Sequence, residues 1–302
     1  MNQNIKAHLA IIGANTIYGL NIVIAKGIMP DYLAPRAMIF LRIAGTTLLF
    51  WLLHLFIPWR KVAARDLLKI AVCSLFGIAI NQILFFEGLS RSAPISASLI
   101  VTTSPIVILI FSYLLLKERI TGSKVVGILL GAAGALTVIL SAGLGDLRGN
   151  TLLGNVMVFA NSVSWGLYLV LVRPLMEKYD SQTLMKWVFL FGLIITSPLT
   201  LGVTVSTSFV RIPWHIWLAI LFVVFITSAV AYWLINYSLK TLSPNINGIY
   251  IYLQPLVASL TAVVFGKDTL TVVDFLAAAL IASGVYLVTW RPKLRNQPKP
   301  VA

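Results

Sequence analysis

The 302-residue chain is 59% hydrophobic and 11% charged, with a mean hydropathy of +0.94. A soluble domain carries about 25% charged residues, so there is too little polar side chain here to coat a water-borne particle. The formal charge of +14 invites a nucleic-acid role, but that would need a contiguous basic groove interleaved with aromatic residues, and these basic residues are scattered between apolar runs.

A bilayer core takes about 20 apolar residues per spanning helix, and ten such runs follow one another at 8–28, 37–57, 68–89, 95–116, 124–142, 152–172, 184–204, 215–239, 245–265 and 273–290. Stretches such as VVGILLGAAGALTVIL do not alternate as barrel strands must, so the runs are read as helices, which satisfy their own backbone in lipid. The first run follows only Lys6 and His8 and lacks a small-residue cleavage site, so it is expected to be a retained helix rather than a signal peptide. Helical phase places Asn15, Tyr18, Asn21 and Lys26 on one side of it. The second run carries Arg42, and the third carries Glu87 near one end together with Cys73, the single cysteine, read as a small core residue. Lys26, Arg42 and Glu87 share a depth. A Glu87–Arg42 or Glu87–Lys26 pair would neutralise charges that otherwise cost ~2.5–3.5 kcal/mol each at mid-membrane. The surplus cation would then suit a substrate carboxylate or phosphate, although Lys26 could also snorkel to the headgroups. The fourth run holds Pro105, expected mid-helix where it would kink the chain, and closes in LLLKERIT. The fifth presents Gly127, Gly131 and Gly134 as a close-packing face.

The sixth run puts Asn161, Ser164, Trp165 and Tyr168 on one face, and the seventh contains Lys186. The eighth carries Ser228, Tyr232 and Asn236, and the ninth carries Asn247, Tyr250, Gln254 and Thr261 on one stripe. Pro255 in the ninth is expected to kink it as Pro105 kinks the fourth, as a hinged gate or a static bend. A polar residue inside a span bonds helix to helix, at about 0.6 kcal/mol each, or faces a cavity. Four stripes together favour a cavity. Its candidate substrate-binding residues are Asn15, Tyr18, Asn161, Trp165, Tyr168, Tyr232, Asn236, Tyr250 and Gln254, with Lys26, Arg42, Glu87, Pro105 and Pro255 as the candidate charge pair or gate.

Charge placement orients the chain. With the amino terminus cytoplasmic, 16 of the 23 Lys and Arg residues lie inside and five outside, Lys26 and Arg42 falling within runs. This positive-inside bias puts both termini in the cytoplasm. The sequence also repeats. At an offset of 150, Leu89 matches Leu239, Pro94 matches Pro244, Pro105 matches Pro255, Lys117 matches Lys267, Thr121 matches Thr271 and Gly134 matches Gly284, with Asp268 standing for Glu118. Earlier, ANTIYGLNIVIAKG pairs with ANSVSWGLYLVLVRP, so that Gly19 meets Gly166 and Lys26 meets Arg173. Lys186 then takes the place of Arg42, and Tyr237 that of Glu87. Each copy has five runs, and an odd number inverts the second. The expected fold is an all-α integral membrane protein of ten transmembrane helices in two inverted five-helix repeats, the architecture of a secondary transporter.

The Asn-Gly stripe opening each copy, FLRIAG on the second run, LSRSAPISASLIVTTSPI leading into the fourth and LLLKERIT closing it resemble the EamA family of the drug/metabolite transporter superfamily, over nearly the whole chain. The resemblance implies a ten-helix basket in a bacterial inner membrane, with residues 1–142 and 151–290 as its repeats, 143–150 an external linker and 291–302 a cytoplasmic tail. It implies a permease for a small metabolite, an amino acid or related compound leaving the cell being the leading expectation. The partners are then the substrate and the bilayer, no cofactor or metal is expected, and proton coupling and oligomeric state stay open. A rival class is a membrane-embedded enzyme acting on a lipid-linked or small substrate, which would need paired acids, a metal cluster or a nucleophile with a base. His8, His54 and His215 instead lie near different run ends, and no phosphate-cradling G-x-x-x-x-G-K-[ST] loop occurs.

Overall fold

In the computed structural model, which describes residues 3–56, 61–92, 97, 100–141, 152–264 and 272–289, every regular element among those residues is helical. The helices are α1 (Gln3–Ile28), α2 (Pro35–His54), α3 (Ala64–Ser90), α4 (Ser104–Leu116) and α5 (Gly122–Ser141), then α6 (Leu152–Lys178), α7 (Ser181–Val205), α8 (Trp214–Leu239), α9 (244–264) and α10 (Val272–Thr289). Six of them, α1, α2, α3, α6, α7 and α8, are long and apolar enough to cross a membrane, and shorter apolar helices fall in α4, α5 and α10. Leu48, Leu199, Leu218 and Phe275 are each more than half exposed, an outer surface that water would not tolerate and lipid would. The proposed linker 143–150, the tail 291–302, and Lys267, Asp268 and Thr271 lie outside the described residues.

Local chemistry sets the helix ends. The Asp180 side chain opens α7 by accepting the Thr183 N–H at 2.8 Å and the Thr183 hydroxyl at 3.0 Å, a side-chain cap. Burial raises the Asp180 carboxyl, but these bonds and Lys240 outweigh it and hold the group below its ordinary range. At LLLKERIT, α4 stops because Lys117 adopts φ 54. The turn swings Glu118 back to accept from Asn245 at 2.7 Å and to pair with Lys124 at 3.1 Å. The motif therefore ties the end of α4 to the starts of α9 and α5.

The two symmetry-related prolines differ from each other in place. Pro105 is not mid-helix: it stands in the first turn of α4, where its missing N–H would have had no intrahelical partner anyway. Pro255 does lie within α9, just after a 3-10 stretch at Tyr250–Tyr252 where the helix departs from regular α geometry. Among the described residues, Pro174 in α6 and Pro198 in α7 are also interior to their helices.

Both α3 and α8 pass through a π-helical stretch, at Leu75–Ile80 and Phe222–Val230. Such a stretch breaks the regular ladder and releases carbonyls, and here side chains collect them. Ser164 donates to the Phe76 carbonyl at 2.6 Å, Tyr232 to that of Gly77 at 2.9 Å and Thr46 to that of Val224 at 3.0 Å. These bonds fasten α6, α8 and α2 around the middle of the bundle.

Packing partners come in exchangeable sets. α5 lies antiparallel on α10, where Gly127 faces Gly284 and Gly134 faces Ala277. Gly19 of α1 lies against Val257 of α9, and Gly166 of α6 lies against Val107 of α4, the same contact in the repeat alignment that matches Gly19 to Gly166 and Val107 to Val257. α3 runs antiparallel to α6, from the Asp66–Lys178 pair at one end to the Ser92–Asn155 hydrogen bond at the other.

Candidate functional site

Polar side chains from seven helices converge on one cavity, which with the open space at its mouth comes to about 650 Å³. Three aromatic rings form its wall. Trp165 lies 5.4 Å from Tyr232 and 6.3 Å from Tyr18, and Tyr18 lies 6.3 Å from Tyr232, all near edge-to-face, the arrangement the ring quadrupoles prefer. Amides fix the neighbouring surface: Gln82 donates to the Tyr232 hydroxyl at 2.9 Å, and Asn161 donates to the Asn81 carbonyl at 2.9 Å. Gln82 and Tyr232 are 150 positions apart, so equivalent points of the two sequence copies meet here. Asn21 of α1, Arg42 of α2 and Ser104 of α4 add to the polar lining.

A second, smaller pocket adjoins the first and is bounded by Asn15, Asn247 and Leu169. Tyr18, Trp165, Ile251 and Gln254 border both pockets and form the partition between them. Gln254 donates to the Asn15 side chain at 2.9 Å, closing α9 onto α1.

The profile of the EamA-like transporter family matches residues 5–140 and again residues 152–290. The chain belongs to the EamA-like transporter family. Among its relatives, the uncharacterized transporter YetK of Bacillus subtilis (strain 168) is 22% identical over 97% of this chain and 89% of its own. A probable terminal-alkyne amino-acid exporter of Streptantibioticus cattleyicolor is 25% identical over 77% of this chain and 76% of its own. A solved crystal structure of a protein superposes with a TM-score of 0.77 at 20% identity, covering 94% of this chain and 96% of that one, a likeness of fold.

Within this EamA fold the sequence-derived candidates separate. Tyr18, Asn161, Trp165, Tyr232 and Gln254 line the main cavity, and Asn15 lines the smaller one. Tyr168 and Asn236 do not reach it: both are fully buried behind the wall, Tyr168 donating to Asn236 at 3.0 Å. Tyr250 lies outside both pockets with its hydroxyl 2.8 Å from His8 Nδ1. The Lys26 side chain lies outside the described residues. Arg173 pairs with Glu177 at 2.9 Å, and Lys186 is buried over the rings of Trp51 and Trp187, at 4.7 and 5.2 Å. Sequence reasoning missed Asn81, Gln82 and Ser104. The offset of Gln82 from Tyr232 was the available signal for one of them, since a stripe meeting its own repeat marks the axis.

The expected Glu87–Arg42 pair is also corrected. Glu87 bonds Arg36 at 2.7 Å and Arg91 at 2.8 Å. It sits in the last turn of α3, within reach of two half-exposed arginines at helix ends, whereas Arg42 lies a further turn and a half into α2. A double-mutant cycle on thermal unfolding should therefore couple Glu87 to Arg36 by about 1 kcal/mol, kept small by the arginine's exposure. It should show additivity between Glu87 and Arg42. Coupling to Arg42 with none to Arg36 would contradict the assignment.

Proposed function

We propose that the chain is a secondary transporter that carries a small metabolite through the central cavity by alternating access. The observation that carries the reading is the polar and aromatic cavity drawn from both sequence copies, inside a bundle whose outer surface is apolar. Its floor is the thin partition of Tyr18, Trp165, Ile251 and Gln254, a natural inner gate. In this reading ten helices span the membrane as two inverted repeats, 1–142 and 151–290, joined by an external linker at 143–150 and followed by a cytoplasmic tail. The 150-residue offset supports it, as do the matching π-helical stretches and the exchangeable packing contacts. The basic-residue bias supports cytoplasmic termini in a bacterial inner membrane. The candidate cargo is an amino acid or related compound, exported. Support comes from the amide and aromatic lining and from the relative named as a probable amino-acid exporter.

Two measurements test this. Counterflow into proteoliposomes across amino acids, sugars and nucleotides should reveal uptake of a small polar compound, with an imposed pH gradient deciding proton coupling. Product formation without flux would favour the enzyme class instead. For topology, in a Cys73→Ser background, an impermeant maleimide applied from outside should label a cysteine placed at Lys267 and spare one at Lys117. Equal labelling would rule out inversion.

A further inference from the structure

We infer that Arg42 is the anion anchor of the cavity, reading the carboxylate of a small substrate that also carries N–H donors. The inference rests on the cavity being the transport site.

Arg42 is 3% exposed and stands in the cavity wall. Its Nε donates to Ser228 Oγ at 2.8 Å, and Ser228 in turn donates to the Val223 carbonyl at 3.0 Å within the π-helical stretch of α8. The Phe86 ring lies 5.0 Å from the guanidinium carbon. One edge and one face of the guanidinium are thereby held. The terminal nitrogens form no hydrogen bond and no ion pair with the described residues. The acid of the neighbouring helix end, Glu87, is already engaged by Arg36 and Arg91. An oriented cation therefore faces the cavity without a counter-charge among the described residues, in a setting where buried charges are normally paired.

The planar fork of a guanidinium matches a carboxylate in a bidentate geometry. One carboxylate answers the guanidinium one for one and leaves the ligand's amino group to the neutral oxygens of the wall, whereas a phosphate dianion would reverse the sign of the site. The same cavity holds three buried oxygens without hydrogen-bond partners, Tyr18 Oη, Asn21 Oδ1 and Gln82 Oε1. Amide oxygens only accept, so a ligand group brought against them by a small side-chain rotation would have to donate, as an amino group does. The Tyr18, Trp165 and Tyr232 rings then receive an apolar body. The second copy adds no equivalent anchor, because Lys186, aligned with Arg42, lies over two tryptophan rings and does not line the cavity. The charge that selects the substrate comes from one repeat alone.

The test uses the purified full-length chain in detergent, read by ligand-induced thermal stabilisation and tryptophan quenching with L-leucine, L-methionine and L-phenylalanine. At least one should bind. L-phenylalaninamide and 2-phenylethylamine, which lack the carboxylate, should bind about tenfold more weakly or worse than L-phenylalanine, because the anchor is left unpaired. 3-Phenylpropionate, which lacks the amine, should also bind more weakly. Arg42→Gln should abolish binding, Arg42→Lys should weaken it by losing the fork, and Ser228→Ala, which keeps the charge, should weaken it several-fold. Should Arg42→Gln not fold, the last two variants decide. The anchor is overturned by silence with all three amino acids, by equal binding of acid and amide, or by wild-type binding in the Arg42 variants. If Trp165→Ala abolishes binding of a probe that Arg42→Gln still binds, the cavity stands and the anchor falls. If neither variant changes it, the cavity itself is not the site.

Discussion

Trp165→Ala should lower counterflow of the identified substrate about tenfold or more, a loss of at least ~1.4 kcal/mol, and destabilise the protein by about 3 kcal/mol. The ring packs against Tyr168 at 5.3 Å, Tyr232 at 5.4 Å and Tyr18 at 6.3 Å, and it borders both pockets. Removing it takes away one wall of the cavity and opens the partition beneath. Trp165→Phe should recover most of the stability, since a six-membered ring keeps the aromatic contacts, and less of the transport. Trp214→Ala is the control, because that side chain is 75% exposed, far from either pocket lining. Unchanged counterflow in Trp165→Ala would remove the tryptophan from the substrate path.

Gly284→Leu should destabilise the bundle by about 3 kcal/mol, and Gly284→Ala by about 1 kcal/mol, through overpacking. A β-carbon at Gly284 would lie 2.5 Å from the Gly127 carbonyl oxygen and 2.8 Å from the Gly131 nitrogen. Both are backbone atoms that cannot rotate away. The approach is reciprocal, since a β-carbon at Gly127 would lie 2.7 Å from the Gly284 carbonyl and one at Gly134 2.7 Å from that of Ala277. α5 and α10 thus touch main chain to main chain, the packing that small residues permit where lipid offers no hydrophobic drive between helices. Thermal unfolding in detergent reads the effect. Gly202→Ala in α7, where an added β-carbon would meet nothing within 4 Å beyond its own helix backbone and chain neighbours, should be neutral or slightly stabilising. Equal midpoints for Gly284→Leu and the parent would show that the helices separate freely.

Much of this was legible in the residues. The glycines of the fifth run predicted a close-packing face, and Gly127, Gly131 and Gly134 do meet α10 and Tyr252. The stripes on the first and sixth runs led to Tyr18, Asn161 and Trp165, all in the cavity lining. Other readings went astray for identifiable reasons. Tyr168 and Asn236 obey the same periodicity as their neighbours, but they satisfy each other one layer behind the wall. Pro105 looked central because the apolar run begins at 95, whereas α4 begins at Ser104. Glu87 looked like a partner for Arg42 because depth was counted along each helix, and depth says nothing about distance across the bundle.

Hydropathy and internal repetition by themselves determined a helical membrane chain in two related halves, because both are properties of residue order and a helix in lipid must satisfy its backbone locally. Which polar residues share a cavity was decided only by the tertiary structure. Helical phase assigns a side chain a direction, but what stands in that direction depends on how the helices cross and on where the ladder slips. The π-helical stretches at Leu75–Ile80 and Phe222–Val230 carry no mark in composition. They release carbonyls that side chains of α6, α8 and α2 collect, and Gln82 meets Tyr232 just beyond them, while Arg42 lines the cavity and Glu87 pairs with the arginines at the helix ends.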